Sequence, residues 1–345
     1  SGVTTVTTQI GDRKYSVNIN FAESYKQGYI YTYTLTLNNT GMEVTSVAVT
    51  PWEEGTTDAG DLEVDDNKYV VDIHIPAMGQ VYPHNVVDFT GTIDWGDGST
   101  TTYDQPVSWP EHTYNSANHY RVTATGYCTA LQIKTDPNGK SLGRDVTVDP
   151  LSFIVDIIHI GKDMGIVDMT QSFYMQDKIT EISEDVFGGL TEVTSFGEAF
   201  LGTSLTAVPA GLFDNNTKVI SFAYTFCGCH FTEVPAGLFD KCTLVETFNG
   251  LFQNSAVQAV PVSLFDKNRK VSGFQGTFWG CEIASGESPY TIINVDGNDV
   301  KVHLYERANY PEHFTAPEYF NGCFGAWSTP GWTDYANIPV SWVEF

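Results

Sequence analysis

The chain holds six cysteines, eight histidines and 42 acidic side chains, and their spacing limits the chemistry they can do. Cys229 and Cys281 stand 52 residues apart with Ser255 midway. If each 26-residue step is one strand spacing, the two thiols are roughly 10 Å apart, beyond the reach of a disulfide. Cys227 and Cys229 would point to opposite faces of an extended segment. Cys242 falls in step with Asn216 and Asn268, a position where repeats turn a side chain inward to bond the backbone. Zinc needs convergent ligands, and His230 beside Cys229 is the only hint of them. The cysteines are therefore expected as buried, reduced thiols, which pack as small hydrophobes.

Asp94 and Asp97, with Asp88 nearby, offer oxygen to a hard cation, but calcium takes six to eight oxygens and nothing here supplies that set. No metal site is expected, and Asp97 is read as a turn former. The sequence has no Gly-x-Ser-x-Gly elbow, no His-Glu-x-x-His and no glycine-rich phosphate loop before a helix. The many acidic residues give accidental carboxylate pairs that no motif singles out for glycoside cleavage. No catalytic residue, no cofactor and no enzymatic activity are expected. The candidates that remain are recognition residues. Tyr305, Arg307, Tyr310, Trp327 and Trp332 crowd toward the C-terminus, as an aromatic platform for sugar rings or a protein partner. The alternative is that Trp327, Trp332 and Trp342 seal the last unit of a repeat array from water, which terminal repeats need.

The elements that position these residues follow from composition and periodicity. The length of 345 residues favours two or three domains. Aromatics make up 13% of the chain and Thr is abundant, which favours strands over a helical bundle. A formal charge of −25 excludes nucleic acid as a main partner, since phosphate binding needs a clustered basic surface. No run of 18 apolar residues is present, so no transmembrane helix is expected. The opening Ser1-Gly2 reads as a processed or trimmed form, with any export signal outside it.

Residues 1–66 read as a β-meander of three strands. Tyr15, Val17, Ile19 and Phe21 alternate with polar residues, as do Tyr31, Tyr33, Leu35 and Leu37, then Val47 and Val49. Asn38-Asn39-Thr40-Gly41 supplies a turn. Residues 29–64, YIYTYTLTLNNTGMEVTSVAVTPWEEGTTDAGDLEV, resemble the C-terminal end of fimbrillin-like domains of Bacteroidetes. Residues 67–135 contain Trp95-Gly96-Asp97-Gly98-Ser99, His112-Thr113-Tyr114 and Tyr120-Arg121-Val122. That order resembles the PKD-type β-sandwich, which implies an extracellular spacer or adhesion module without catalysis and a packing role for His112.

Residues 136–345 carry a repeat. Val-Pro-Ala-Gly-Leu-Phe-Asp starts at Val208 and Val234 and recurs as Val-Pro-Val-Ser-Leu-Phe-Asp at Val260, a fixed step of 26 residues. The same step relates Phe196, Phe222, Phe248 and Phe274; Phe200, Phe226, Phe252 and Phe278; and Val193, Val219, Val245 and Val271. Ile182 and Phe187 fill equivalent places one unit earlier, and Tyr174 is read as extending the Phe200 column. A fixed period with apolar columns marks stacked units that cannot bury their apolar face alone. Val, Phe and Phe at i, i+3 and i+7 suggest a short helical stripe. The apolar-Thr-x-Val piece suggests a short strand ended by Pro. The pattern resembles the leucine-rich repeats of BspA-type bacterial surface proteins. An insertion near 285–310, read as a hairpin, breaks the period before a C-terminal cap. The expected fold is mainly β with short helices: a meander, a PKD-like sandwich and a leucine-rich-repeat-like solenoid. The outward positions Thr206, Thr232, Glu233 and Gln258 form one further candidate binding surface.

Together the resemblances imply a non-enzymatic adhesion or ligand-binding protein at the bacterial cell surface, on the extracellular face of the outer membrane. Its partner would be a host protein or a glycan, and its membrane attachment a lipid anchor outside this sequence. Two alternatives stay open: a structural fimbrial subunit or tip component that contacts other subunits, and a glycan-capturing surface lipoprotein of an uptake system.

Overall fold

The structure is a computed structural model that describes residues 66–133, 152–326 and 330–345, together with the strand backbone of the first 65 residues. It divides into two compact units, Ser1–Glu63 and Val64–Phe345. The protein is mainly β, with antiparallel sheets and a few short helices. Among the described residues no helix is long and apolar enough to cross a membrane.

The first unit contains four strands rather than three, paired as two hairpins. Strand β1 (Val3–Ile10) pairs with β2 (Arg13–Asn20), and β3 (Tyr29–Asn38) pairs with β4 (Gly41–Pro51). The β3–β4 register closes at Asn38 opposite Gly41, where the sequence places its turn. The Thr-rich stretch Val3–Ile10 lacks a clean apolar alternation, which is why periodicity passes over β1.

The second unit opens with β5 (Lys68–Ile75), β6 (Val81–Pro83), β7 (Val86–Val87), β8 (Phe89–Asp94), β9 (Thr100–Val107), β10 (Glu111–Thr113), β11 (Asn118–Tyr127), β12 (Ala130–Leu131) and β13 (Ile154–Ile160). Five of them form one antiparallel sheet in the order β13-β5-β11-β8-β9, while β10 pairs with β6 and β12 with β7. Tyr69, Val71, Ile73 and Ile75 alternate inward along β5 and pack with the buried Trp95, Tyr114 and Val122. Gly96 makes the predicted tight turn at φ 78°, and a Cβ there would stand 2.4 Å from the Arg121 carbonyl oxygen. Only glycine fits. Strand β13 lies in the stretch that the sequence assigns to the repeat region, yet it completes this sheet beside β5. Irregularities at Ile154/Asp156 and Ile157/His159 let Ile154, Ile157 and Ile160 all turn inward, so β13 lacks the period-2 signature of a strand.

Beyond β13 the chain stacks in units of 26 residues. Phe200, Phe226, Phe252 and Phe278 lie ring on ring at 5.7, 6.1 and 5.9 Å between centroids. A second column runs Phe196, Phe222, Phe248 and Phe274 at 5.8, 5.9 and 6.3 Å. A third runs Phe187, Phe213, Phe239 and Phe265. Parallel bridges join Ser195, Ser221, Thr247 and Gly273 in succession.

Two expectations need correction. The residue that extends the Phe200 column is Phe173, stacked at 5.5 Å, not Tyr174. Six steps separate Phe173 from Ile179 where five separate Phe200 from Leu205, so a strict count of 26 slips by one. The Phe-x-x-x-Phe stretch is also not a helix but a chain of turns. Phe196, Glu198 and Phe200 each donate their amide to the next unit, at Ser221, Ala223 and Thr225, over 2.8–3.0 Å. The amides between them, of Ala199 and Leu201, bond three residues back. A helix would spend every amide on itself and leave none to join the units. Left-handed backbone at Glu198 and Tyr224, taken over by Gly250, Gly276 and Gly322, permits the alternation.

The stack is closed at both ends. At its start Ile133 donates to the Gln171 carbonyl and Val167 to the Thr129 carbonyl, so the sheet supplies the backbone that the first unit needs. At its far end the insertion forms a hairpin, β14 (Tyr290–Val295) and β15 (Asn298–His303), turning through Asp296 and Gly297, both at positive φ. The period then resumes, with Gly273 bridged to Tyr319 and Phe324 stacked on Phe278 at 5.9 Å. A last short helix, α1 (Val340–Val343), lays Trp342 against Phe274, Phe320 and Phe324. One apolar core runs from Tyr69 to Trp342.

Candidate ligand-binding face

Each unit sends its Phe, Leu and Val side chains inward, so the residues between them face solvent at a fixed pitch. Thr206, Thr232, Glu233 and Gln258 are all exposed, as are Thr180 and Glu181 one unit earlier. Their backbone is tied unit to unit: Thr206 donates to the Thr180 carbonyl at 3.1 Å, and Gln258 to the Thr232 carbonyl at 2.8 Å. Glu233 bridges to Ala259. The result is a polar surface with fixed spacing, carrying small and acidic groups and no aromatic side chain among these positions. It can present hydrogen-bonding groups in register.

A parallel ladder on another side of the unit joins Ser195, Ser221, Thr247 and Gly273 and ends at Tyr319, which is 57% exposed; the positions just before the first three, Thr194, Ile220 and Glu246, are also exposed. The sequence sets Tyr319 only among the aromatics near the C-terminal tryptophans; its place in the ladder opposite Gly273 appears only after the inserted hairpin is subtracted. It is an aromatic anchor of the type that recognition surfaces favour.

The C-terminal candidates take a different place. Arg307 is wholly buried, donating Nη1 to the Asn268 carbonyl at 2.9 Å and Nη2 to the Phe265 carbonyl at 2.7 Å. Its guanidinium also lies over the rings of Phe314 and Phe274. These bonds continue a column inside the stack. Asn216 donates to the carbonyls of Phe187 and Leu190, Cys242 to those of Phe213 and Asn216, and Asn268 to those of Phe239 and Cys242. Arg307 serves the last pair of carbonyls in the series. Burial, and then the nearby Arg269, draw its pKa down to about 9, so it remains charged at neutral pH. It presents nothing to a ligand in solution.

Trp332 is 4% exposed and packs edge-on against Phe278 and Phe324. Tyr310 is half-buried against the small core of Ile293, Val302 and Phe314. Tyr305 stacks on His303 and donates to Asp334 at 3.3 Å. Trp327 lies outside the described residues. Of the platform expected from these residues, Arg307 and Trp332 are interior and Tyr305 and Tyr310 half-buried, with Trp332 covering the rings of Phe278 and Phe324.

Ser288, His303 and Asp334 come together, but not in the bond order of a hydrolase triad. Ser288 Oγ donates to Asp334 at 2.5 Å and lies 2.9 Å from His303 Nδ1, and Ser288 is wholly buried. The group ties the hairpin to the cap. The same holds for Asp97 in the sheet region: it accepts both bonds of Ser99 and meets His112 Nε2 at 2.8 Å, while the His112 ring stacks on Trp95. Burial works to raise the Asp97 pKa, but the bonds from Ser99 and His112 outweigh it and bring the carboxyl to about 2. Cys128, Cys229, Cys242 and Cys281 are buried, and burial pushes their thiols up to about 12, so they stay protonated. Cys229 and Cys281 bond the carbonyls of Phe200 and Phe252 at 3.1 and 3.0 Å. Among the described residues no group of three or more His, Cys, Asp or Glu is placed to hold a metal. No protein-family model matches the chain, and no match to it emerges among curated proteins.

Proposed function

We propose that this chain is a non-enzymatic adhesion or ligand-binding module of a bacterial cell surface, of the Bacteroidetes type that its motifs resemble. In this reading residues 67–135 are a PKD-like sandwich, the 26-residue units are a leucine-rich-repeat-like solenoid, and Ser1–Glu63 belongs to a fimbrillin-like domain. The partner is a host protein or a glycan, and the contact surfaces are the repeat face of Thr206, Thr232, Glu233 and Gln258 and the separate ladder that ends at Tyr319.

One observation carries the reading. The aromatic columns and the inward bonding column satisfy the interior of each unit, so the side chains at the exposed positions Thr206, Thr232, Glu233 and Gln258 take no part in the core; Thr206 alone adds a hydroxyl bond to the Thr180 carbonyl, at 3.2 Å. Side chains at such positions can be tuned for a ligand without disturbing the core. A screen of the whole chain against glycans and extracellular-matrix proteins identifies the partner. The combined variant Thr206→Lys, Thr232→Lys and Gln258→Lys then tests the surface. Binding is expected to fall, while surface substitutions of this kind change stability by no more than about 0.5 kcal/mol each. Binding that survives both this variant and Tyr319→Ala would exclude the repeat surfaces.

A further inference from the structure

The outer face of the five-stranded sheet carries a pair of side chains that sequence separation conceals. Strands β5 and β11 pair antiparallel with His74 directly opposite His119. Their neighbours Ile73, Ile75 and Tyr120 point into the core, so both imidazoles stand on the solvent side. The ring centroids are 4.6 Å apart, with the planes inclined by 32°. Loss of hydration, then the neighbouring His119 and Lys178, hold the His74 imidazole below its ordinary pKa. A neutral imidazole has a lone pair to give to a metal ion.

We propose that His74 and His119 form a two-imidazole chelate for a borderline divalent transition-metal ion, of the zinc or copper type, with water completing its coordination. Imidazole nitrogen suits these ions and binds zinc at about 2.0–2.1 Å, a reach that side chains opposite each other on paired strands share. The two strands fix the backbone of both ligands, because β5 and β11 are interior to the sheet. The ions of the neighbourhood leave the pair free: Asp72 and Arg121, in the next cross-strand row, engage each other through two bonds of 2.8 and 2.9 Å. Lys178 extends to the Ser152 carbonyl. The buried thiols, held protonated, do not compete. A chain with net charge −25 favours a dication at long range.

The test is calorimetric titration of zinc chloride into the full chain at pH 7.5. A saturable one-to-one component is expected. It is expected to vanish in His74→Ala, His119→Ala and His119→Gln, and to persist in His230→Ala, which removes an exposed histidine from the repeat region. The melting temperature without metal reports whether each variant is folded. The proposal is overturned if the wild-type chain shows no saturable component, or if that component survives in folded His119→Ala. The partner of the repeat face has no bearing on this result.

Discussion

The two ends of the 26-residue stack face the same physical problem and solve it by different means. At the start, the open backbone of the first unit meets another backbone: residues 129–133 of the sheet region accept and donate its hydrogen bonds. Side chains from the first turns reinforce the join. Gln176 Oε1 accepts the amides of Phe153 and Ile154 at 3.0 Å, and Asn85 donates to the Ser172 carbonyl at 2.9 Å. At the far end single side chains close each column separately. Arg307 serves the last inward carbonyls, while Trp332 and Trp342 cover the last Phe rings. A repeat leaves three things unfinished at its end: backbone edges, inward carbonyls and apolar rings. A sheet can finish the edges directly, whereas a terminal cap must assign a residue to each.

The comparison can be broken first in the middle of the stack. Phe252 lies between Phe226 and Phe278 with no exposed surface, and Phe252→Ala is expected to cost about 3–5 kcal/mol, as large aromatic truncations do. Urea unfolding measures it, and a loss below about 1 kcal/mol would mean that the columns do not bear on stability.

Arg307→Met sharpens the contrast between the ends. It removes the guanidinium donor from the carbonyls of Asn268 and Phe265, of which Phe265 keeps the Asn268 amide, and is expected to cost about 1–3 kcal/mol. Arg307→Lys is expected to restore little, because an ammonium cannot reproduce the two-pronged donation of the planar fork. If Arg307→Lys matches the wild type in the same unfolding measurement, the column account fails at its last member.

A smaller effect belongs to the sheet region. Against the effect of burial, the bonds from Ser99 and His112 hold the Asp97 carboxyl at about 2 in the folded chain, below the ordinary carboxylate range. A depressed carboxylate contributes stability that is present above the unfolded pKa and is lost as pH falls through the folded one. Asp97→Asn is expected to lower stability at pH 7 by about 1 kcal/mol and to flatten the loss between pH 4 and pH 2. Unfolding curves across that range check it, and an unchanged acid limb would remove Asp97 from the account.

Much of this was legible in the sequence because it is periodic. The Phe and Val columns, the inward place shared by Asn216, Cys242 and Asn268, and the Asp97 turn all follow from spacing or local turn chemistry. What was not legible depends on pairings across long stretches of chain. Arg307 stands 39 residues beyond Asn268, so the inserted hairpin hides its membership of the column. His74 and His119 meet only through the β5–β11 register, and β13 joins its sheet through two irregularities that erase the alternation. The helical stripe was misread because turns with alternating amide directions place Phe at the same interval as a helix would.

The central claim is that the C-terminal aromatics close the stack and leave the repeat surfaces for binding. Thermal unfolding of Trp332→Ala tests it most directly. Loss of a buried tryptophan costs about 3–5 kcal/mol, and each kcal/mol shifts the midpoint by about 2–4 °C in a domain of this size. The account therefore predicts a fall of roughly 6 °C or more. A variant that melts with the wild type but no longer binds the partner would contradict it and return the binding site to the C-terminal end.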